Sequence, residues 1–359
     1  MRILQAIETG GPGGAEQVLI ALCRGLLARG HDVEVLLLKE GWLADQMREL
    51  GVPLHQLPLQ GGLDRPFVAT LASLCKKQQI DLIHSHEFSL SWYGRRAART
   101  AALPHVATAH GKNFLARTKQ RIATGLSLRD RRGEALIAVS ADLAKELAAR
   151  ALPSLPTPAV IANGVPQPSD IAVRPREGGR LRLVAVGNLY PVKNHRLALD
   201  ALAELGQRGI DAELTILGRG GEQQALESQA QQLGLGDRLR LAGYCEDVRP
   251  YLRQADIFLS TSLSEGMPLS FLEAMGHALP IVSSRVGGVP ELIDDGVQGK
   301  LFPSGDATAC ADAITELAND EELRQRIAAL ALRDGQEKWS VETMLDGYEA
   351  LYERLRADR

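Results

Sequence analysis

Glu265 and Glu273 stand eight residues apart in the run Ser264-Glu265-Gly266-Met267-Pro268-Leu269-Ser270-Phe271-Leu272-Glu273-Ala274-Met275. Two carboxylates at that spacing can hold hydroxyl groups on either side of an anion. Gly266 and Pro268 suit a loop rather than a helix interior. Leu269, Leu272 and Met275 follow helical spacing, so a helix is expected to begin near Pro268. Glu265 then lies just before that helix and Glu273 on its second turn. Free N–H groups at a helix start, with the positive end of its dipole, suit a phosphate. The plainer reading is a capped core helix carrying two solvated acids.

Two glycine-bearing loops add to this. Gly10-Gly11-Pro12-Gly13-Gly14-Ala15-Glu16 follows a strand-like run and opens a helix. It has neither the G-x-G-x-x-G spacing of a dinucleotide fold nor the Gly-Lys-Ser/Thr of a P-loop. Its glycines still permit close backbone approach to a ligand, against the alternative of a tight structural turn. Gly187-Asn188-Leu189-Tyr190-Pro191-Val192-Lys193-Asn194-His195 occupies the same strand-to-helix position in the second half. There Lys193 can reach a diphosphate as a flexible point charge. His110 ends a strand, and a neutral imidazole there can donate or accept one hydrogen bond. His84 and His86 end the preceding strand, but the spacing of the three is no standard zinc motif. The chain has no Asp-x-Asp to carry a divalent ion, so a metal-independent site is expected.

These residues need strands and helices to place them. Strand-like runs at 3–7, 33–38, 82–84, 106–109, 135–139 and 159–161 alternate with helical stretches, as in a parallel sheet with crossover helices. Residues 151–179 are rich in Pro, Gly and polar groups, and read as a linker. The alternation restarts with strands at 181–186, 212–217, 239–242, 257–260 and 281–283, and residues 306–357 read as helices only. The expectation is an N-terminal α/β domain over 1–165, joined by a final helix at 340–357. A linker at 166–180 and a second α/β domain over 181–339 follow from the same reading. In such folds ligands bind at the carboxyl ends of the strands.

Composition bounds the rest. At 359 residues, with 45% hydrophobic and 24% charged residues, the chain reads as an ordinary globular protein of two domains. Only 4% is aromatic, which argues against sugar binding by stacking in a lectin-like sandwich. Cys23, Cys75, Cys245 and Cys310 show no metal or disulfide spacing, so a reducing, cytoplasmic setting is expected. The first residues are too acidic for a signal peptide, and no eighteen-residue apolar run exists. Residues 1–169 carry a net +6 and residues 170–359 a net −9. Much of the positive excess lies in 112–132, where basic and apolar residues interleave. That segment reads equally as a contact with an anionic membrane surface, a solvated helix face or a mobile loop. Nothing in the chain suggests nucleic-acid binding.

Taken together, the residues resemble glycosyltransferase family 4, the retaining transferases of the GT-B superfamily. The resemblance rests on Glu265-x₇-Glu273, Pro280-Ile281-Val282, Gly287-Gly288-Val289-Pro290-Glu291, Gly13-Gly14-Ala15-Glu16 and the Gly187…Lys193-Asn194 loop. Ser140, Asn163-Gly164-Val165 and Gly296-x-x-Gly299 also match, so it covers essentially the whole chain. It implies an α/β fold of two Rossmann-like parallel-sheet domains facing each other across a cleft. It implies transfer of a sugar from a nucleotide diphosphate donor, UDP-linked in the favoured case, to an acceptor hydroxyl with retention. The acceptor would be a lipid-linked or cell-surface glycan, and no cofactor is implied. The protein would be cytoplasmic or peripheral on the inner face of the cell membrane.

Mapped residue by residue, the resemblance gives Glu273 the donor ribose and Glu265 a sugar hydroxyl near the reacting carbon. N–H groups around Gly266, Met267 and Leu269 would face the sugar and phosphate, and Lys193 the diphosphate. Gly13 and Gly14 would close on the diphosphate, His110 would contact the sugar, and Tyr244 and Cys245 would lie beside the base. Glu16, His86 and Lys112 would stand on the acceptor side. Asn188 departs from the family, which commonly has Arg there; a neutral amide replaces a permanent charge. Lys193 with Arg219 or Arg285 compensates, or the diphosphate is held more weakly. Competing readings are a nucleotide-sugar 2-epimerase of the same fold and a non-catalytic nucleotide-sugar-binding homologue.

Overall fold

A computed structural model of the chain describes residues 1–358 except Leu63, Asp130, Arg174, Arg176 and Glu177. The chain divides into two compact units, Met1–Val165 with Val341–Arg359, and Pro166–Ser340. The expected linker includes Arg174, Arg176 and Glu177, which lie outside the described residues. Its first part belongs to the second unit, where the Gln167 amide donates to the Trp339 carbonyl (3.4 Å) and Asp170 pairs with Arg253 (3.2 Å).

The first unit holds a parallel sheet of β1 (Arg2–Ile7), β2 (Asp32–Leu37), β3 (Leu54–Gln56), β4 (Leu82–His86), β5 (His105–Ala109), β6 (Glu134–Ala138) and β7 (Ala159–Val160), in the order β3-β2-β1-β4-β5-β6-β7. Crossovers are made by α1 (Gly14–Ala28), α2 (Trp42–Glu49), α3 (Arg65–Lys77), α4 (Phe88–Ala101), α5 (Thr118–Ser127) and α6 (Ala141–Arg150). Strands β4, β5 and β6 are buried at every residue, as expected of parallel strands covered on both faces. Local signals set helix starts: Asp64 and Ser140 side chains accept from the N–H groups of Phe67 (2.9 Å) and Leu143 (3.2 Å). The strand order reverses between β1 and β4.

The second unit repeats the plan with β8 (Leu181–Val186), β9 (Ala212–Leu217), β10 (Leu239–Gly243), β11 (Ile257–Ser260), β12 (Ile281–Ser284) and β13 (Gly299–Phe302), in the order β10-β9-β8-β11-β12-β13. Its helices are α7 (His195–Gln207), α8 (Gln223–Gln232), α9 (Arg249–Gln254), α10 (Leu269–Gly276), α11 (Val289–Leu292), α12 (Ala307–Asn319) and α13 (Glu321–Lys338). Leu199, Leu205, Leu214, Ile216 and Ile314 are fully buried between sheet and helices; each such side chain stabilises the fold by about 1.5–3 kcal/mol. Here the order reverses between β8 and β11.

The last helix, α14 (Val341–Ala357), packs in the first unit. Gly25 of α1 lets it approach, since a Cβ there would run into the Leu345 side chain. Arg29 pairs with Asp346 (2.7 Å) and Glu349, and His31 meets Glu349 at 2.7 Å. The edge strands β3 and β13 escape the sequence reading: both are short and lack a continuous apolar run.

Candidate active site

In the second unit every expected site residue lies at the carboxyl edge of the sheet. Lys193 follows β8 and Glu265 follows β11, the two strands at which the order reverses, and open parallel sheets bind ligands at that point. Lys193 Nζ donates to Glu265 Oε1 at 2.6 Å, and Ser262 Oγ donates to the same oxygen at 2.6 Å. No hydrogen bond from a described residue reaches Oε2. Ser262 in turn accepts, through its carbonyl, from the Ser284 hydroxyl of β12.

Backbone bonds hold the two loops together. Leu263 N–H donates to the Val192 carbonyl (2.8 Å), and the Thr261 hydroxyl donates to the Asn194 carbonyl (2.9 Å). Gly288 N–H donates to the Glu265 carbonyl (3.1 Å), while a Cβ on Gly287, at φ +49°, would collide with that oxygen. The glycine after β12 is therefore a steric requirement of the Glu265 loop. Gly299 has a related role, since its Cβ would strike the Ile281 carbonyl.

α10 begins at Leu269 with Pro268 as its first cap and no side chain bonding its free N–H groups. Glu273 lies on its second turn, half-buried, and no described residue donates to its carboxylate. Burial, then repulsion from Asp247, pushes its pKa up to about 7, against a smaller pull from Arg249. Asn188 is half-buried between β8 and the Gly218-Arg219-Gly220 turn, which packs so close that Cβ atoms on Gly218 or Gly220 would meet the Gly187 or Leu189 backbone. His195 donates to the Gly187 carbonyl (3.2 Å), and burial lowers its pKa. Of the two basic residues placed to offset Asn188, Arg285 is held by Asp295 at 3.5 Å. Arg219 instead lies 5.2 Å over the exposed Tyr244 ring, with no carboxylate partner among the described residues. Cys245 donates its thiol to the Asp247 carbonyl (3.1 Å).

The first unit places a second group at its own reversal point. Gly13 caps α1 with extended backbone, and Cβ atoms on Gly11 or Gly14 would meet open space, so a ligand can approach the chain there. Glu16 is buried beside Gly13. His86 Nδ1 lies 2.8 Å from His110 Nε2, and His86 Nε2 lies 2.9 Å from Gln5 Oε1. Burial lowers the pKa of His110 to about 4 and that of His86 well below its ordinary value. Glu87, absent from the sequence reading, follows His86 at φ +65°; burial, then Glu16 and Glu8, pushes its pKa up to about 7. Its position directly after a strand-end His-Ser-His was the available signal. Ser262 and Gln5 were also missed.

The 112–132 segment forms a 3₁₀ turn, Lys112–Leu115, and α5; Asp130 lies outside the described residues. Lys112 pairs with Glu146 (3.1 Å), and Arg121 and Arg129 donate to the carbonyls of Arg150 (2.6 Å) and Ser154 (2.7 Å). Phe114 and Leu115 are buried, whereas Ile122 and Leu126 are exposed. No helix of the described residues is long and apolar enough to cross a membrane. Among the described residues no cluster of three or more His, Cys, Asp or Glu could hold a metal ion.

Comparison with known proteins bears on the fold and the family. The family of glycosyl transferases group 1 matches residues 167–333, and Glycosyltransferase Family 4 matches residues 12–167. The phosphatidyl-myo-inositol mannosyltransferase of Mycobacterium leprae is 30% identical over 352 residues, covering 92% of this chain and 90% of that one. The amylovoran biosynthesis glycosyltransferase AmsK of Erwinia amylovora is 38% identical over 149 residues, and the matched part spans 39% of this chain and 37% of that relative. The crystal structure of Anabaena Alr3699/HepE in complex with UDP-glucose superposes with a TM-score of 0.81 at 25% identity, covering 98% of this chain and 100% of that one. With two parallel-sheet units on the GT-B plan and a relative matched along nearly its whole length, the chain belongs to glycosyltransferase family 4.

Proposed function

We propose that the chain moves a sugar from a nucleotide diphosphate donor to an acceptor hydroxyl, with retention at the anomeric carbon and without a metal ion. The observation that carries this is the convergence of Lys193 and Ser262 on Glu265 at the reversal point of the second sheet, beside the uncapped start of α10. A diphosphate competes with Glu265 for Lys193, because both present anionic oxygens to one ammonium group. Released from Lys193, Glu265 accepts from a sugar hydroxyl near the reacting carbon. The bond from the anomeric carbon to the diphosphate oxygen breaks, and its charge passes to Lys193 and the N–H groups around Gly266, Met267 and Leu269. The acceptor oxygen bonds to the same face, and the leaving phosphate takes its proton. Glu273 accepts from the ribose hydroxyls, Tyr244 and Cys245 flank the base, and Asn188 offers the diphosphate an amide. Within the first unit, Gly13 and Gly14 form the turn that would meet a diphosphate, with open space at Gly14. His110 meets a sugar hydroxyl, Glu16 and Lys112 stand on the acceptor side, and His86, fully buried with both ring nitrogens bonded, acts only through His110.

The UDP-glucose held by the Anabaena protein supports a uridine donor. The names of the mycobacterial and Erwinia relatives support a lipid-linked or polysaccharide acceptor. Turnover of a panel of nucleotide sugars, with the product anomer read by NMR, tests the reaction. Glu265→Ala and His110→Ala are expected to lower turnover by about 100-fold without weakening UDP binding, which Glu265→Ala tightens by freeing Lys193. An inverted product, or UDP affinity falling as far as turnover, refutes the assignment. The exposed Ile122 and Leu126, near Arg117 and Lys119, support contact of α5 with an anionic membrane surface. Wild-type protein that fails to sediment with phosphatidylserine vesicles excludes it.

A further inference from the structure

Buried hydrogen bonds tie α14 to the sheet, and a second buried run reaches His110. The Tyr348 hydroxyl lies 3.0 Å from Thr108 Oγ1, which lies 2.8 Å from His84 Nε2; His84 Nδ1 lies 2.7 Å from the Tyr352 hydroxyl. The Gln5 amide nitrogen is buried with no hydrogen-bond partner among the described residues. The second run goes from Gln5 Oε1 to His86 Nε2 and from His86 Nδ1 to His110 Nε2. Gln5, His84, His86 and Thr108 are fully buried.

Burial keeps His84, His86 and His110 neutral, with mutual repulsion adding to it for His84 and His86. A neutral imidazole has one N–H and one lone pair, so the direction of one bond dictates the next. Gln5 Oε1 can only accept, which puts the hydrogen of His86 on Nε2 and its lone pair on Nδ1. His110 Nε2 must then donate to His86. His110 Nδ1 is left as an acceptor, and that atom is buried with no partner among the described residues. Buried polar atoms in folded proteins are ordinarily satisfied, so an orphan beside a ligand-binding edge marks a place a ligand fills.

We propose that Gln5 and His86 are positioning residues that fix His110 as its Nε2–H tautomer, so that Nδ1 accepts a hydrogen bond from a hydroxyl of the bound sugar. The orientation of the Gln5 amide sets the direction, because its oxygen, not its nitrogen, faces His86. Turning that amide over would reverse each bond, leave a hydrogen on His110 Nδ1 and present a donor to the sugar instead. A run that merely braces the sheet would tolerate either direction.

The test is the ¹⁵N spectrum of the full chain labelled at histidine, with His110 signals identified by their loss in His110→Gln. The expected wild-type spectrum shows His110 protonated at Nε2 and bare at Nδ1. Gln5→Leu should scatter His110 between tautomers, and Gln5→Glu, whose carboxylate only accepts, should restore the single form. With UDP-glucose as probe, Gln5→Leu should lower turnover by about tenfold with UDP affinity unchanged, and Gln5→Glu should recover most of it. A wild-type His110 carrying its hydrogen on Nδ1 overturns the inference, even if every variant fails to fold. The proposal rests on the transferase reading, but the tautomer is read without substrate. An Nε2–H spectrum in a protein that turns over no nucleotide sugar would uphold the polarity of the run and sink that reading.

Discussion

Replacing Glu273 with Gln tests whether the carboxylate of α10 is held in reserve for a ligand. The side chain is half-buried, lacks a hydrogen-bond donor among the described residues, and titrates near 7 rather than at the ordinary 4.5. Such a displacement costs the ionised form about 3 kcal/mol, which partial solvent access trims to about 1–2 kcal/mol. The sign follows from proton binding. Between 4.5 and 7 the folded state holds a proton that the unfolded state has released, so stability falls as pH rises through that window. Glu273→Gln removes the cost. At pH 8 and without nucleotide, its unfolding midpoint should exceed the wild type's by about 2–8 °C, at about 2–4 °C per kcal/mol for a unit of this size. At pH 4 the difference should vanish. Titration calorimetry with UDP at pH 8 should show about 10–100-fold weaker binding in the variant, since a charge-assisted acceptor is lost. A variant no more stable than wild type at pH 8, or equally stabilised at both pH values, refutes the argument. Unchanged UDP affinity removes the ribose assignment.

Two further substitutions probe the neighbouring loops. Gly287→Ala forces a Cβ onto the Glu265 carbonyl at a left-handed φ; it should lower stability by more than about 2 kcal/mol, and urea denaturation showing a loss under about 0.5 kcal/mol would contradict the packing. Asn188→Arg adds a permanent charge and should tighten UDP binding by about tenfold. Weaker binding by calorimetry would show that the amide itself contacts the ligand.

The sequence made the parallel sheets legible because strand-like and helical periods alternate along the whole chain. It also located Lys193 and Glu265, since each follows a strand whose carboxyl end must border a binding edge. It did not show that the two pair with each other in the unliganded chain, because a bond across 72 residues leaves no trace in spacing. The same holds for the His84–Tyr352 bond across 268 residues. Glu87 leaves no mark in spacing, because its burial and the repulsion it meets from Glu16 and Glu8 arise only in the fold. The basic stretch at 112–132 looked uniform in sequence. The fold divides it, turning Lys112 to Glu146, and Arg121 and Arg129 to backbone carbonyls.

The return of α14 to the first unit gives the chain an order of assembly. During synthesis, residues 166–340 emerge before α14 and can close around their own core. The first unit must wait. Gly25, Arg29 and His31 lack their α14 partners, and His84 and Thr108 lack Tyr352 and Tyr348, until residues 341–358 leave the ribosome. The unit translated first is therefore completed last. Its buried His84 stays short of a partner until α14 docks.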